Sequence, residues 1–98
     1  MADEIEIIGN EVVPLPVLVY GSSTSESTAL VRNHLNELSI PFVEINIDED
    51  ETAARYVETI NHGEKVTPTI VFGDEDFIIV EPARNELNQA LKRAGYEL

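Results

Sequence analysis

Ninety-eight residues suffice for one domain with a single core and are too few for two. Nineteen acidic residues against six basic ones give a formal net charge of −13. Such a chain cannot present the basic stripe that neutralises phosphates, so nucleic acid is excluded as a partner and anionic membranes are disfavoured. With no cysteine at all, a disulfide scaffold, thiolate metal sites and thiol chemistry are excluded together.

An apolar content of 43% with periodic segments marks a folded globule. No window approaches the roughly 20 apolar residues of a membrane span, and Met1-Ala2-Asp3-Glu4 lacks the basic start of a signal peptide. The expectation is a soluble, cytoplasmic protein whose acidity serves solubility rather than recognition.

Taken in order, residues 1–14 form an N-terminal extension. Ile5, Ile7 and Ile8, then Val12 and Val13, flank Gly9-Asn10, which fits a hairpin, an added edge strand or a flexible leader. Pro14 and Pro16 end it. The remaining chain, 15–98, is read as the domain proper. Val17 to Tyr20 is a short apolar run of the kind covered on both sheet faces. A hydroxyl-rich turn follows, Gly21-Ser22-Ser23-Thr24-Ser25, and then a helix from about Ser25 to Leu38, stopped by Ser39-Ile40-Pro41. Ser25 or Thr24 is its expected N-cap.

Phe42 to Ile47 alternates as a second strand. Asp48-Glu49-Asp50-Glu51 opens a second helix, Thr52 to about Ile60, where acids meet the positive end of the helix dipole. These acids lack the ligand spacing and central glycine of a calcium loop, and no metal site is expected. Asn61-His62-Gly63 closes the helix with a left-handed ending. Thr69–Phe72 and Phe77–Val80 are strands joined by a tight turn, and Asn85 to Ala94 is the last helix, stopped by Gly95. The order β-α-β-α-β-β-α predicts a parallel first pair, an antiparallel final hairpin and a four-stranded mixed sheet with three helices on its two faces. That is an α/β, thioredoxin-type architecture.

At this level of detail the residues resemble the glutaredoxins, and small bacterial glutaredoxin-like and mycoredoxin-like proteins in particular. The resemblance runs from about Leu15 to Leu91. Val19-Tyr20-Gly21-Ser22-Ser23, Ile40-Pro41-Phe42, Ile45-Asn46-Ile47-Asp48-Glu49-Asp50 and the stretch Asn61 to Val71 carry it. It implies that Pro68, after Thr67, is the family's cis-proline, the one kind of peptide bond where cis costs little. It also implies that Ser25 stands where the family holds its nucleophilic cysteine and Thr28 where it holds the second. An alcohol does not ionise near neutral pH and cannot exchange with a disulfide, so the family's reaction is excluded for this chain. Serine catalysis lacks its base: His34 lies nine residues along the helix, on the order of 13 Å away.

The resemblance further implies a ligand groove formed by Tyr20, Ser22, Thr24, Ser25, Thr67 and Pro68, with Arg84 and Asn85 at the start of the last helix. Family members bind glutathione partly through the main chain of the residue before the cis-proline, here Thr67. The glycines they carry before the last helix are replaced by Glu81-Pro82-Ala83, and the lysine near the active-site turn by Ser22. Glutathione is therefore expected to bind weakly at best, and no other cofactor is expected. The leading expectation is a glutaredoxin-like binding module without redox activity, taking a peptide-like ligand or a protein partner in cell redox context. A second is a monothiol glutaredoxin, a glutathione-dependent disulfide reductase, with serine put in place of its catalytic cysteine at position 25. A third is a purely structural interaction domain.

Overall fold

The computed structural model describes the backbone of residues 6–8 and 11–98, and side chains from 13 onward. The strands are β1 (Glu6–Ile8), β2 (Glu11–Val13), β3 (Val17–Gly21), β4 (Val43–Asn46), β5 (Thr69–Phe72) and β6 (Phe77–Val80); the helices are α1 (Glu26–Glu37), α2 (Glu51–Ile60) and α3 (Arg84–Arg93). β1 and β2 pair antiparallel as a separate two-stranded sheet, with Ile7 opposite Val12. The turn expected at Gly9-Asn10 lies outside the described residues.

From β3 onward the order is β-α-β-α-β-β-α, and the main sheet runs β4-β3-β5-β6. β3 lies parallel to β4, with Tyr20 opposite Ile45, and antiparallel to β5, with Tyr20 opposite Thr69. β5 and β6 form the antiparallel hairpin, Phe72 opposite Phe77. The sheet is the expected mixed one because a helix-linked pair must return parallel while a four-residue turn forces reversal.

Two cores separate at the sheet. On one face Val17, Val19, Ile70 and Phe72 meet Val31 and Leu35 of α1 and Leu87, Ala90 and Leu91 of α3. On the other, Ile47, Ala53, Ala54 and Val57 pack with Tyr20 and Ile45 under α2. Side chains alternate across a strand, so β5 is buried at every position while β3 is buried only at alternate ones. The reading of β3 as fully covered therefore holds for β5 and not for β3, whose Leu18 and Tyr20 are half-buried because α2 is short and built on small alanines. Leu35 and Leu91 are completely buried, each stabilising the fold by about 1.5–3 kcal/mol.

The helix ends follow local chemistry. Ser39 (φ 57°), His62 (φ 57°) and Gly95 (φ 105°) take left-handed backbone beyond the three helices. Ile40 N–H, Gly63 N–H and Tyr96 N–H then reach back to the carbonyls of Leu35, Glu58 and Leu91, satisfying acceptors the helix leaves open. Among the described residues no helix is long and apolar enough to cross a membrane.

Candidate ligand groove at the start of α1

β3 delivers the chain to its turn through Gly21. A Cβ there would lie 2.4 Å from Cγ2 of Thr28, so only glycine lets the strand end this close to the helix. Thr28 is completely buried, and its Oγ1 accepts from the Ser22 N–H at 3.3 Å. Thr28 is thus a packing and hydrogen-bonding residue with no access to solvent.

Ser25 is the N-cap of α1, with extended backbone at φ −91° and ψ 118°. Its Oγ accepts from the Thr28 N–H at 3.1 Å and points its own proton toward the carbonyl oxygen of Thr67, 3.5 Å away. A hydroxyl can serve both roles, but 3.5 Å is long for an O–H···O bond and holds the carbonyl only loosely. The Thr67–Pro68 peptide is cis, as the resemblance implies. Pro68 is buried, its carbonyl accepting from the Glu81 N–H at 2.9 Å. Ser25 and Thr67, widely separated in sequence, are therefore brought face to face.

Two positioning residues were not legible as such in the sequence. Asn61 donates from Nδ2 both to the Val57 carbonyl (2.9 Å) and to Thr69 Oγ1 (3.1 Å), and Thr69 in turn donates to the Val66 carbonyl (2.8 Å). This chain fixes the Val66–Thr69 turn to the end of α2. Asp48 was read with the α2 start, whereas the N-cap there is Asp50, which accepts from the Ala53 N–H at 3.0 Å. Asp48 instead reaches the hydroxyl-rich turn: its Oδ2 accepts from Ser22 Oγ (2.7 Å), Ser23 N–H (3.3 Å) and Ser23 Oγ (3.3 Å). Thr24 joins through its N–H and hydroxyl to Ser22 Oγ. The Ser22 hydroxyl, foremost, then the Ser23 donors and the Lys65 charge hold the Asp48 carboxyl below its ordinary value. The hydroxyl-rich turn is thus occupied by the chain's own carboxylate.

At the other wall, Glu81 adopts φ +44°. This is where the resemblance calls for glycine, and the left-handed backbone is kept although the glycine is gone. Ala83, the N-cap of α3, has no side-chain acceptor, and its own N–H is taken by Glu86 Oε1 at 2.7 Å. Arg84 and Asn85 follow, both exposed. Arg84 borders a cavity of about 160 Å³ with Leu30, His34 and Leu87 between α1 and α3. Tyr20 packs on Tyr56 beneath α2, ring centroids 5.1 Å apart. His34 binds Asn88 Oδ1 through Nε2 at 2.7 Å, and Ser25 has no basic partner among the described residues.

No family model matches the sequence, and no curated protein sequence matches it. Solved structures do match in shape. The crystal structure of a glutaredoxin from Archaeoglobus fulgidus superimposes with a TM-score of 0.63 at 26% identity, over 81% of this chain and 87% of that one. A mutant of the thioredoxin-like protein BC3987 gives 0.60 at 20% identity, over 80% and 95% of the two chains. Actin interacting protein 5 gives 0.56 at 22%, over 90% and 98%. With this topology, a cis-proline facing the start of α1 and no cysteine anywhere in the sequence, the chain is a thioredoxin-like fold of the glutaredoxin type that lacks the residues of its redox chemistry.

Proposed function

We propose that this chain is a redox-inactive binding module that holds an extended, peptide-like ligand or partner segment against the main chain of Thr67. One observation carries the reading. The Thr67 N–H makes no hydrogen bond among the described residues, and its carbonyl is met only by the 3.5 Å hydroxyl of Ser25. Backbone polar groups are normally paired in a folded protein; Thr67 is half-buried at a bend just before β5, and an added strand uses such an open donor–acceptor pair. Ser25 beside it occupies the thiolate's place without the ability to react, so a ligand is held rather than reduced. The partner belongs, on this reading, to cell redox context.

Charge narrows the ligand. Asp48 fills the turn and Glu81 borders the far wall, in a chain of net charge −13. An anionic tripeptide such as glutathione meets repulsion, whereas a neutral or cationic peptide does not. The test is an NMR titration with glutathione and with a glutathionylated basic peptide. Saturable amide shifts at Ser25, Thr67 and Glu81, tighter for the basic peptide, are expected. Absence of shifts there with both ligands would overturn the groove and leave the outer surfaces as the working part.

A further inference from the structure

Beneath α2 lies a cavity of about 350 Å³ lined by Tyr20, Ile45, Asp50, Thr52, Ala53 and Tyr56. Its walls differ in chemistry. The two tyrosine rings pack on each other, tilted by 45° at a centroid separation of 5.1 Å, and both line the space. Ile45 and Ala53 supply apolar surface. Asp50 caps α2 through Oδ1, and its other carboxylate oxygen has no hydrogen-bond partner among the described residues. The Tyr56 hydroxyl donates to Glu75 Oε2 from the β5–β6 turn, which fixes the ring and places a second carboxylate behind it. Burial raises both phenols above their ordinary range, and the charges of Glu75 and Asp50 add to this at Tyr20; the space is electrically negative.

We propose that this cavity is a binding site for an arginine side chain on a basic segment of a partner protein. A planar guanidinium stacks on a tyrosine face while its N–H edge reaches a carboxylate oxygen, a combination open to no neutral side chain and to lysine only in part. The methylene stem fits Ile45 and Ala53. The neighbouring cation of the chain itself, Arg55, faces Glu51 at 3.9 Å with its side chain three-quarters exposed, and does not fill the space. The net charge of −13 steers a basic segment toward this chain, and the tyrosine pair gives it a defined seat.

The test uses acetyl-Gly-Arg-Gly-amide as probe, followed by amide shifts in the intact chain, beside the same peptide with citrulline in place of arginine. Citrulline keeps the shape and removes the charge. Saturable shifts confined to Tyr20, Thr52, Ala53 and Tyr56 are expected, at least about tenfold weaker with citrulline. Asp50→Ser keeps a capping oxygen while removing the carboxylate, and Tyr56→Leu keeps apolar volume while removing the π face; each weakens binding about five- to tenfold. Shifts scattered over the acidic surface, equal binding of citrulline, or indifference to both substitutions would overturn the site. Tighter binding of tetramethylammonium than of the arginine peptide would also overturn it, assigning the cavity to a small quaternary ammonium ligand.

Discussion

Ser25 Oγ lies 3.5 Å from the carbonyl oxygen of Thr67, so the N-terminus of α1 and the chain entering β5 meet through a hydroxyl. Around that contact stand an extended N-cap, the Thr28 N–H aimed at the side chain, and a cis-proline opposite.

A thiol can be placed at this position. Ser25→Cys places a thiol at the positive end of α1, with the Thr28 N–H as donor. The Asp48 carboxylate, reaching the turn from the β4–α2 connection, already receives three hydrogen bonds from Ser22 and Ser23. The helix terminus therefore outweighs it, and the thiol should titrate about one unit below the ordinary 8.5. The pH dependence of iodoacetamide alkylation measures this. A midpoint at or above 8.5 would show that acidic surroundings dominate instead.

The close approach of β3 to α1 predicts a specific rescue. Gly21→Ala forces a methyl against Thr28 Cγ2 at 2.4 Å and should cost about 1–3 kcal/mol in chemical denaturation. Thr28→Ser removes that methyl and keeps the oxygen bonded to the Ser22 N–H. In the Gly21→Ala background it should recover part of the loss, although alone it destabilises. Simple additivity of the two changes would contradict direct contact.

Glu81 holds a conformation that suits glycine. Glu81→Gly removes the left-handed penalty of about 1–2 kcal/mol and returns part of it as unfolded-chain entropy. The net expectation is a gain of about 0.5–1 kcal/mol in denaturant unfolding. A loss of stability would mean that the Glu81 side chain makes a contribution exceeding its backbone strain.

Asp48 gives the turn an acid-labile support. Its folded-state acidity is stronger than the ordinary 3.8, owing first to the Ser22 hydroxyl and then to Ser23. A carboxyl with a depressed folded value stabilises the native state above its unfolded value and loses that effect as pH falls through the folded one. Asp48→Asn should therefore melt below the parent at pH 6–7, with the gap closing below about pH 4. Comparing the two chains cancels the general effect of neutralising the other acids. A gap independent of pH would contradict the role.

Much of the fold was legible because each element announces itself locally. The apolar runs of β5 and β6 coincide with the strands, and Pro41, Gly63 and Gly95 fall two to four residues past the ends of the helices they stop. The site was legible only in part. Ser25 opposite Thr67-Pro68 could be placed because a resemblance supplied the pairing, not because any local pattern links them. Asp48 could not: its acids look like any helix start, and its acceptor role depends on β4 lying parallel to β3 and ending beside the turn. Asn61 is likewise an ordinary helix terminator by sequence, and only the fold shows its side chain bonded to Thr69. Tyr20 sits beside the turn in sequence, yet strand alternation sends it to the α2 face, where it meets Tyr56.

The most direct measurement is the Thr67 amide proton itself. In the free protein it has no partner among the described residues, and it should exchange rapidly with solvent. Saturation with a glutathionylated basic peptide should shift it downfield and slow its exchange by at least about tenfold, as a strand-type hydrogen bond forms. Binding that saturates while the Thr67 amide neither shifts nor gains protection would contradict the account.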